Sequence, residues 1–136
     1  MIRLLSVPHT GTRFVVEMLQ NAGYRKTHAY WGDGDFMQIH FDGKYNQPLV
    51  YRENGPVIIP LREKDEVIES WRRRQRNLSD LELFWNEMVD YIQDHDDVHL
   101  LHVDDPNRRD DELQDIVERL GSPLIADFSV KVGHGA

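Results

Sequence analysis

Short apolar runs alternate with longer amphipathic segments along this chain, and the alternation predicts its elements. Ile2-Arg3-Leu4-Leu5-Ser6 is apolar enough on both sides to be a strand buried within a sheet. Phe14 to Ala22 places Val15, Met18, Leu19 and Ala22 on one helical face, and Gly23 stops it. Tyr24 to Tyr30 reads as a second strand, and Trp31 to Asp35 as a turn. Phe36 to Phe41 and Leu49 to Arg52 read as short extended pieces around Asp42-Gly43. Val57 to Leu61 is a buried strand with Pro60 near its end. A helix follows from about Glu63 and buries Val67, Ile68 and Trp71. Ser79-Asp80-Leu81-Glu82 has the form of a capping box. Behind it Leu81, Phe84, Trp85, Met88, Val89 and Ile92 carry the strongest helical period of the chain. Val98 to Val103 is the next strand, ended by Asp104-Asp105-Pro106. Leu113, Ile116, Val117 and Leu120 mark a last helix stopped by Gly121, and Phe128 to Val132 is a final strand or an extended tail.

Strands alternating with helices predict an α/β fold: a three-layer sandwich with a parallel central sheet and helices on both faces. Right-handed crossovers put the strand C-termini on one edge, which is where such sheets bind ligands. Three points fall there: the loop Ser6–Arg13, the Leu61-Arg62 junction and the Val103-Asp104 junction.

Length and composition narrow the class. The 136 residues suit a single domain spanning 1–136. A hydrophobic content of 40% suits a soluble globular protein, and without cysteine neither disulfides nor thiolate metal sites arise. The sequence offers neither a membrane-length apolar run nor a signal-peptide pattern, so a cytoplasmic protein with no membrane partner is expected. The formal net charge of −8 argues against nucleic acid and, with local arginines, favours a small anionic ligand.

The stretch Ser6-Val7-Pro8-His9-Thr10-Gly11-Thr12-Arg13 follows a strand and opens a helix, the arrangement that makes an anion cradle from backbone N–H groups and the positive helix end. Set against the nucleotide-triphosphatase pattern G-x-x-x-x-G-K-[ST], Gly11 matches the second Gly. Ser6 replaces the first Gly, Thr12 the Lys, and Arg13 the Mg²⁺-binding hydroxyl. A Mg²⁺-dependent ATPase or kinase is therefore disfavoured, while a phosphate site of hydroxyls, amides and arginine is not.

The stretch Pro8-His9-Thr10-Gly11-Thr12-Arg13, with Glu17-Met18-Leu19 behind it, resembles the 5′-phosphosulfate loop of the PAPS-dependent sulfotransferases. (PAPS is 3′-phosphoadenosine 5′-phosphosulfate.) Leu61-Arg62-Glu63 with Val67-Ile68-Glu69-Ser70 resembles that family's 3′-phosphate motif, an Arg at a strand end and a Ser eight residues on. His102-Val103-Asp104-Asp105-Pro106 and the Leu113–Gly121 segment are similar to the strand, acidic turn and helix found late in many members. The chain is shorter than most of them. The resemblance implies a P-loop nucleotide-binding fold and the ligands PAPS and adenosine 3′,5′-bisphosphate, without a metal. It also implies that Thr10, Gly11, Thr12 and Arg13 hold the 5′-phosphosulfate and that Arg62 and Ser70 hold the 3′-phosphate.

His9 stands where the family has a Lys that stabilises the leaving group. A protonated His can replace it, or His9 fills the loop of a binding protein without catalysis. The acceptor, a small molecule or glycan, needs a base at its hydroxyl. His40, in Gln38-Ile39-His40-Phe41-Asp42, is preferred over His28, in Lys26-Thr27-His28, because the His40–Arg62 distance suits the family's base. Arg72-Arg73-Arg74 and Arg76 read as a solvated helix face, parts of which steer an anion. His95, His99 and His102 sit among aspartates, but His99 and His102 are three apart on a strand and so point to opposite faces, which argues against a metal. Tyr30, Trp31 and Phe36 are candidates for stacking on adenine or for the core, and Lys131 to Gly135 for covering the 3′-phosphate.

Two functions from different classes follow. One is a compact sulfotransferase acting on a hydroxyl or amine. The other is a non-catalytic nucleotide-binding or protein-interaction module of the same fold, favoured by His9 and by the short chain. A kinase-like phosphotransferase is the third, and the missing Lys and hydroxyl count against it.

Overall fold

The computed structural model describes residues 1–27, 33–43, 46–52 and 55–120. The expectations at His28, Tyr30, Trp31, Gly121, 128–132 and 131–135 lie outside these residues.

The order of elements is β1 (Ile2–Ser6), α1 (Thr12–Asn21), β2 (Phe36–His40), α2 (Gln47–Val50), β3 (Val57–Leu61), α3 (Lys64–Arg73), α4 (Leu78–Asp94), β4 (Val98–His102) and α5 (Pro106–Arg119). The four strands form one all-parallel sheet in the order β2-β1-β3-β4. The α/β sandwich expected from the alternation is present.

Registers sort the side chains onto two faces. Leu4, Phe36, Ile58, Leu101 and Val103 pack with Phe14, Val15, Met18 and Leu19 of α1 and with Leu113, Ile116 and Val117 of α5. Leu5, Val7, Met37, Ile39, Val57 and Ile59 pack with Val67 and Trp71 of α3 and with Leu81, Met88 and Tyr91 of α4. Burial on both faces explains why β1 and β3 read as continuous apolar runs rather than alternating ones. On β4, His99 lies opposite Ile58 and His102 opposite Leu61, so the two histidines fall on opposite faces, as strand alternation requires.

Three local expectations are corrected. Leu49 to Arg52 is not extended: Gln47–Val50 is a helical turn with proline in its first positions, where the missing N–H costs nothing. The N-cap of α4 is Asn77, whose side chain accepts from the Ser79 N–H at 2.9 Å, so Ser79 lies inside the first turn. In place of a strand over Tyr24 to Tyr30, the described residues show one parallel bridge. Thr27 N–H donates to Phe36 O at 2.9 Å, and Phe36 N–H to Arg25 O at 3.2 Å. Among the described residues no helix is long and apolar enough to cross a membrane.

β1 leads through α1 to β2 on one side, whereas β3 lies on its other side. The chain therefore reverses direction between β1 and β3, and the crevice beyond their C-terminal ends is the switch point where open parallel sheets take ligands. Pairing between these strands stops after Arg3–Val57 and Leu4–Ile58, and Pro60 brings no N–H to extend it.

Candidate functional site

The loop leaving β1 occupies that crevice. Two of its residues take left-handed backbone, His9 at φ 69° and Gly11 at φ 90°. Gly11 is the N-cap of α1 and makes no side-chain cap hydrogen bond to the first turn of the helix. A Cβ on Gly11 would sit 2.7 Å from Val103 Cγ2, so only glycine fits here on both conformational and steric grounds.

The two threonines brace the loop from within. Thr10 Oγ1 donates to Val7 O at 2.6 Å, and Thr12 Oγ1 donates to Ser6 Oγ at 2.8 Å. Both side chains are buried, and as donors they are engaged by their own chain. Arg13 points outward from the first turn of α1, is 71% exposed and pairs with Glu17 one turn on.

Two elements hold the loop from outside. Trp71, fully buried on α3, donates its indole N–H to Pro8 O at 3.0 Å. Arg62, at the end of β3, donates to His9 O at 3.2 Å. Its Nε lies 3.4 Å from carboxylate oxygens of both Glu66 and Asp104, and the side chain is only 7% exposed. Arg62 thus ties the ends of β1, β3 and β4 together. The three junctions expected at one edge do meet there.

Ser70 lies where the eight-residue spacing put it, but it is fully buried, and its hydroxyl has no hydrogen-bond partner. It does not line the cavity of about 460 Å³ beside Arg62. That cavity is bordered by Lys64, Trp85, His102, Asp104 and Arg108 instead. Arg62 and Ser70 therefore do not share one open cleft in this structure.

His40 ends β2 directly opposite Ser6 in the register. Gln38 Nε2 donates to its Nε2 at 3.3 Å. Burial lowers the His40 pKa from 6.5, and the nearby positive charge of Arg76 lowers it further; Asp42 pulls the other way. His40 is thus favoured as a neutral imidazole, the form a proton acceptor needs.

Arg76 was grouped by sequence with Arg72, Arg73 and Arg74 on one helix face, and the structure separates it. All four are exposed, but those three lie on α3 and its C-cap, whereas Arg76 lies beyond the helix. Its Nη1 donates to His9 Nε2 at 3.0 Å, and its guanidinium stacks over the Trp71 ring at 4.2 Å. Arginine can only donate, so His9 Nε2 accepts and its proton sits on Nδ1. His9 is then neutral in this arrangement, and the fixed positive charge above the loop belongs to Arg76.

Sequence reading also missed a carboxylate–histidine pair. Glu112 on α5 accepts from His102 Nδ1 at 2.9 Å and from the His102 backbone N–H at 3.3 Å. The partners are ten residues apart across a strand–turn–helix, a spacing that carries no sequence signal. Among the described residues no three histidine or carboxylate side chains gather into a metal-binding group.

No protein-family model matches the chain, and neither a curated protein nor a solved structure matches it.

Proposed function

We propose that the crevice beyond β1 and β3 binds a phosphorylated nucleotide, and that the protein is a compact sulfotransferase using PAPS. The observation that carries this reading is the loop itself. Two left-handed residues deliver the chain to an uncapped helix N-terminus, and arginines from three elements surround it: Arg13 from α1, Arg62 from the end of β3 and Arg76 from beyond α3.

The helix start after Gly11, which no N-cap side chain closes, suits the 5′-phosphosulfate together with Arg13. Arg62, Lys64 and Arg108 border the adjoining cavity together with Glu63, Asp104 and Asp105, and a second phosphate would take the three cations in exchange for their carboxylate neighbours. PAPS supplies the sulfuryl group and a bisphosphate leaving group. In the transfer an acceptor oxygen or nitrogen bonds to sulfur as the bond from sulfur to the 5′-phosphate oxygen breaks, and that phosphate keeps the electron pair. His40, held neutral, takes the acceptor's proton. The protein contributes position and fixed positive charge.

One observation favours the second reading, a nucleotide-binding module without transfer. Arg62 is already held by the His9 carbonyl and two carboxylates, and Ser70 is sealed in the interior. The 3′-phosphate contacts implied by the resemblance need these groups to be released.

Calorimetric titration with adenosine 3′,5′-bisphosphate, against ATP–Mg²⁺, separates the readings when followed by labelled sulfate transfer to an acceptor panel. Bisphosphate binding with transfer is the expected result. Binding without transfer supports the module, and absence of bisphosphate binding removes both.

A further inference from the structure

The position of Arg76 is built by the backbone. At the end of α3, Arg76 N–H donates to Trp71 O at 3.0 Å and Gln75 N–H donates to Arg72 O at 2.9 Å. Gln75 takes a left-handed φ of 53°. These are the two crossed bonds and the left-handed residue of a Schellman stop, here without the usual glycine. The stop turns the chain back over Trp71. Trp71 is itself fixed by its hydrogen bond to the loop carbonyl of Pro8. Arg76 is exposed, and its guanidinium rests on that ring beside the loop.

We propose that Arg76 is the cation that meets the anion held by the loop, and that its hydrogen bond to His9 is the resting contact the anion replaces. The proposal rests on reading the loop as an anion cradle and deepens it. The loop has Thr12 where a nucleotide loop has its lysine. Arg76 brings a cation to the same loop, at His9, from a different element. Its reach covers both histidines of the crevice: it bonds His9, and its charge is felt at His40. A planar fork is also better matched than ammonium to the paired oxygens of a phosphate or sulfuryl group. When Arg76 turns to an anion, His9 Nε2 is released to accept from another donor or to take a proton.

The test uses Arg76→Gln and Arg76→Lys, with Arg73→Gln, on α3 itself, as the control. Pyrophosphate and adenosine 3′,5′-bisphosphate are titrated calorimetrically, and the His9 ring nitrogens are followed by NMR. Arg76→Gln is expected to weaken both anions by about tenfold or more. Arg76→Lys falls between it and the parent, and Arg73→Gln matches the parent. In the parent, pyrophosphate shifts the His9 Nε2 resonance as the arginine leaves; in Arg76→Gln that shift is lost. Unchanged pyrophosphate affinity in Arg76→Gln overturns the proposal and leaves the nucleotide reading standing. Pyrophosphate binding without bisphosphate binding in the parent removes the nucleotide reading, and the Arg76 comparison is still decided on pyrophosphate. A parent that binds neither anion overturns both.

Discussion

Gly11 and Val103 touch so closely that a single added methyl would overlap: a Cβ on Gly11 would lie 2.7 Å from Val103 Cγ2. The contact locks the start of α1 onto the end of β4 and so sets the height of the loop above the sheet. Gly11→Ala is expected to cost about 2–4 kcal/mol, from left-handed backbone and from overpacking together. In a Val103→Ala background the 2.7 Å overlap disappears and only a 3.2 Å contact to the remaining Cβ is left, so the added cost falls to about 1–2 kcal/mol. Urea unfolding of the four proteins of this cycle measures both. An equal cost in the two backgrounds would show that the valine does not limit the site.

Arg62 is expected to act as a structural clasp as well as a site residue. It is nearly buried and spans the His9 carbonyl, Glu66 and Asp104. Arg62→Ala removes the guanidinium that Asp104, Glu66 and the His9 carbonyl share, at a cost of about 3 kcal/mol. Adding Asp104→Asn to Arg62→Ala recovers part of that loss, because one carboxylate no longer loses its ion pair with Arg62. Arg62→Lys keeps the charge and loses the fork, so it is expected to fall between Arg62→Ala and the parent. Denaturant midpoints give the order. If Asp104→Asn deepens the loss in the Arg62→Ala background, the ion pair is not what Arg62 supplies.

The strands at 2–6, 36–40, 57–61 and 98–102 were legible because burial on a parallel sheet demands apolar runs, and the sequence carries them within a residue of the observed limits. The loop was legible because a strand, a glycine and a helix must follow one another to form it. What stayed hidden depended on pairs distant in sequence or on backbone turns without a marker. Arg76 is parted from its neighbours by a left-handed Gln75, where a glycine would have announced the stop. The hydroxyls of Thr10 and Thr12 read as ligand donors, yet they close the loop on itself, a distinction of direction that composition cannot express. Asn77 and Ser79 are both good caps, and only the fold chooses between them.

Trp71 is expected to matter through its nitrogen more than its size. Its N–H satisfies the buried Pro8 carbonyl, and its ring supports Arg76. Trp71→Phe keeps much of the apolar contact and leaves that carbonyl unpaired, costing about 1–3 kcal/mol of stability. It also loosens the platform under Arg76, so pyrophosphate affinity is expected to fall. Thermal unfolding and calorimetry on the same variant read the two effects. Lost stability with unchanged affinity would separate the platform from anion binding.

His40 offers the pH readout. Burial is the larger cause of its lowered pKa and the charge of Arg76 the second, while Asp42 opposes them. A histidine that resists protonation in the fold but titrates normally when unfolded costs stability as pH falls below its ordinary 6.5. Stability is therefore fully present above that value. It declines through the window down to the lowered native pKa and levels off below it. Arg76→Gln removes one source of the depression, so the His40 pKa should rise toward its ordinary value and this pH dependence should shrink. Asp42→Asn removes the opposing charge, so the pKa should drop further and the window widen. NMR titration of the His40 ring in the three proteins gives the order Asp42→Asn below parent below Arg76→Gln. An unmoved His40 in Arg76→Gln would place that guanidinium out of electrostatic reach of β2, and with it out of the space where the acceptor's proton must leave.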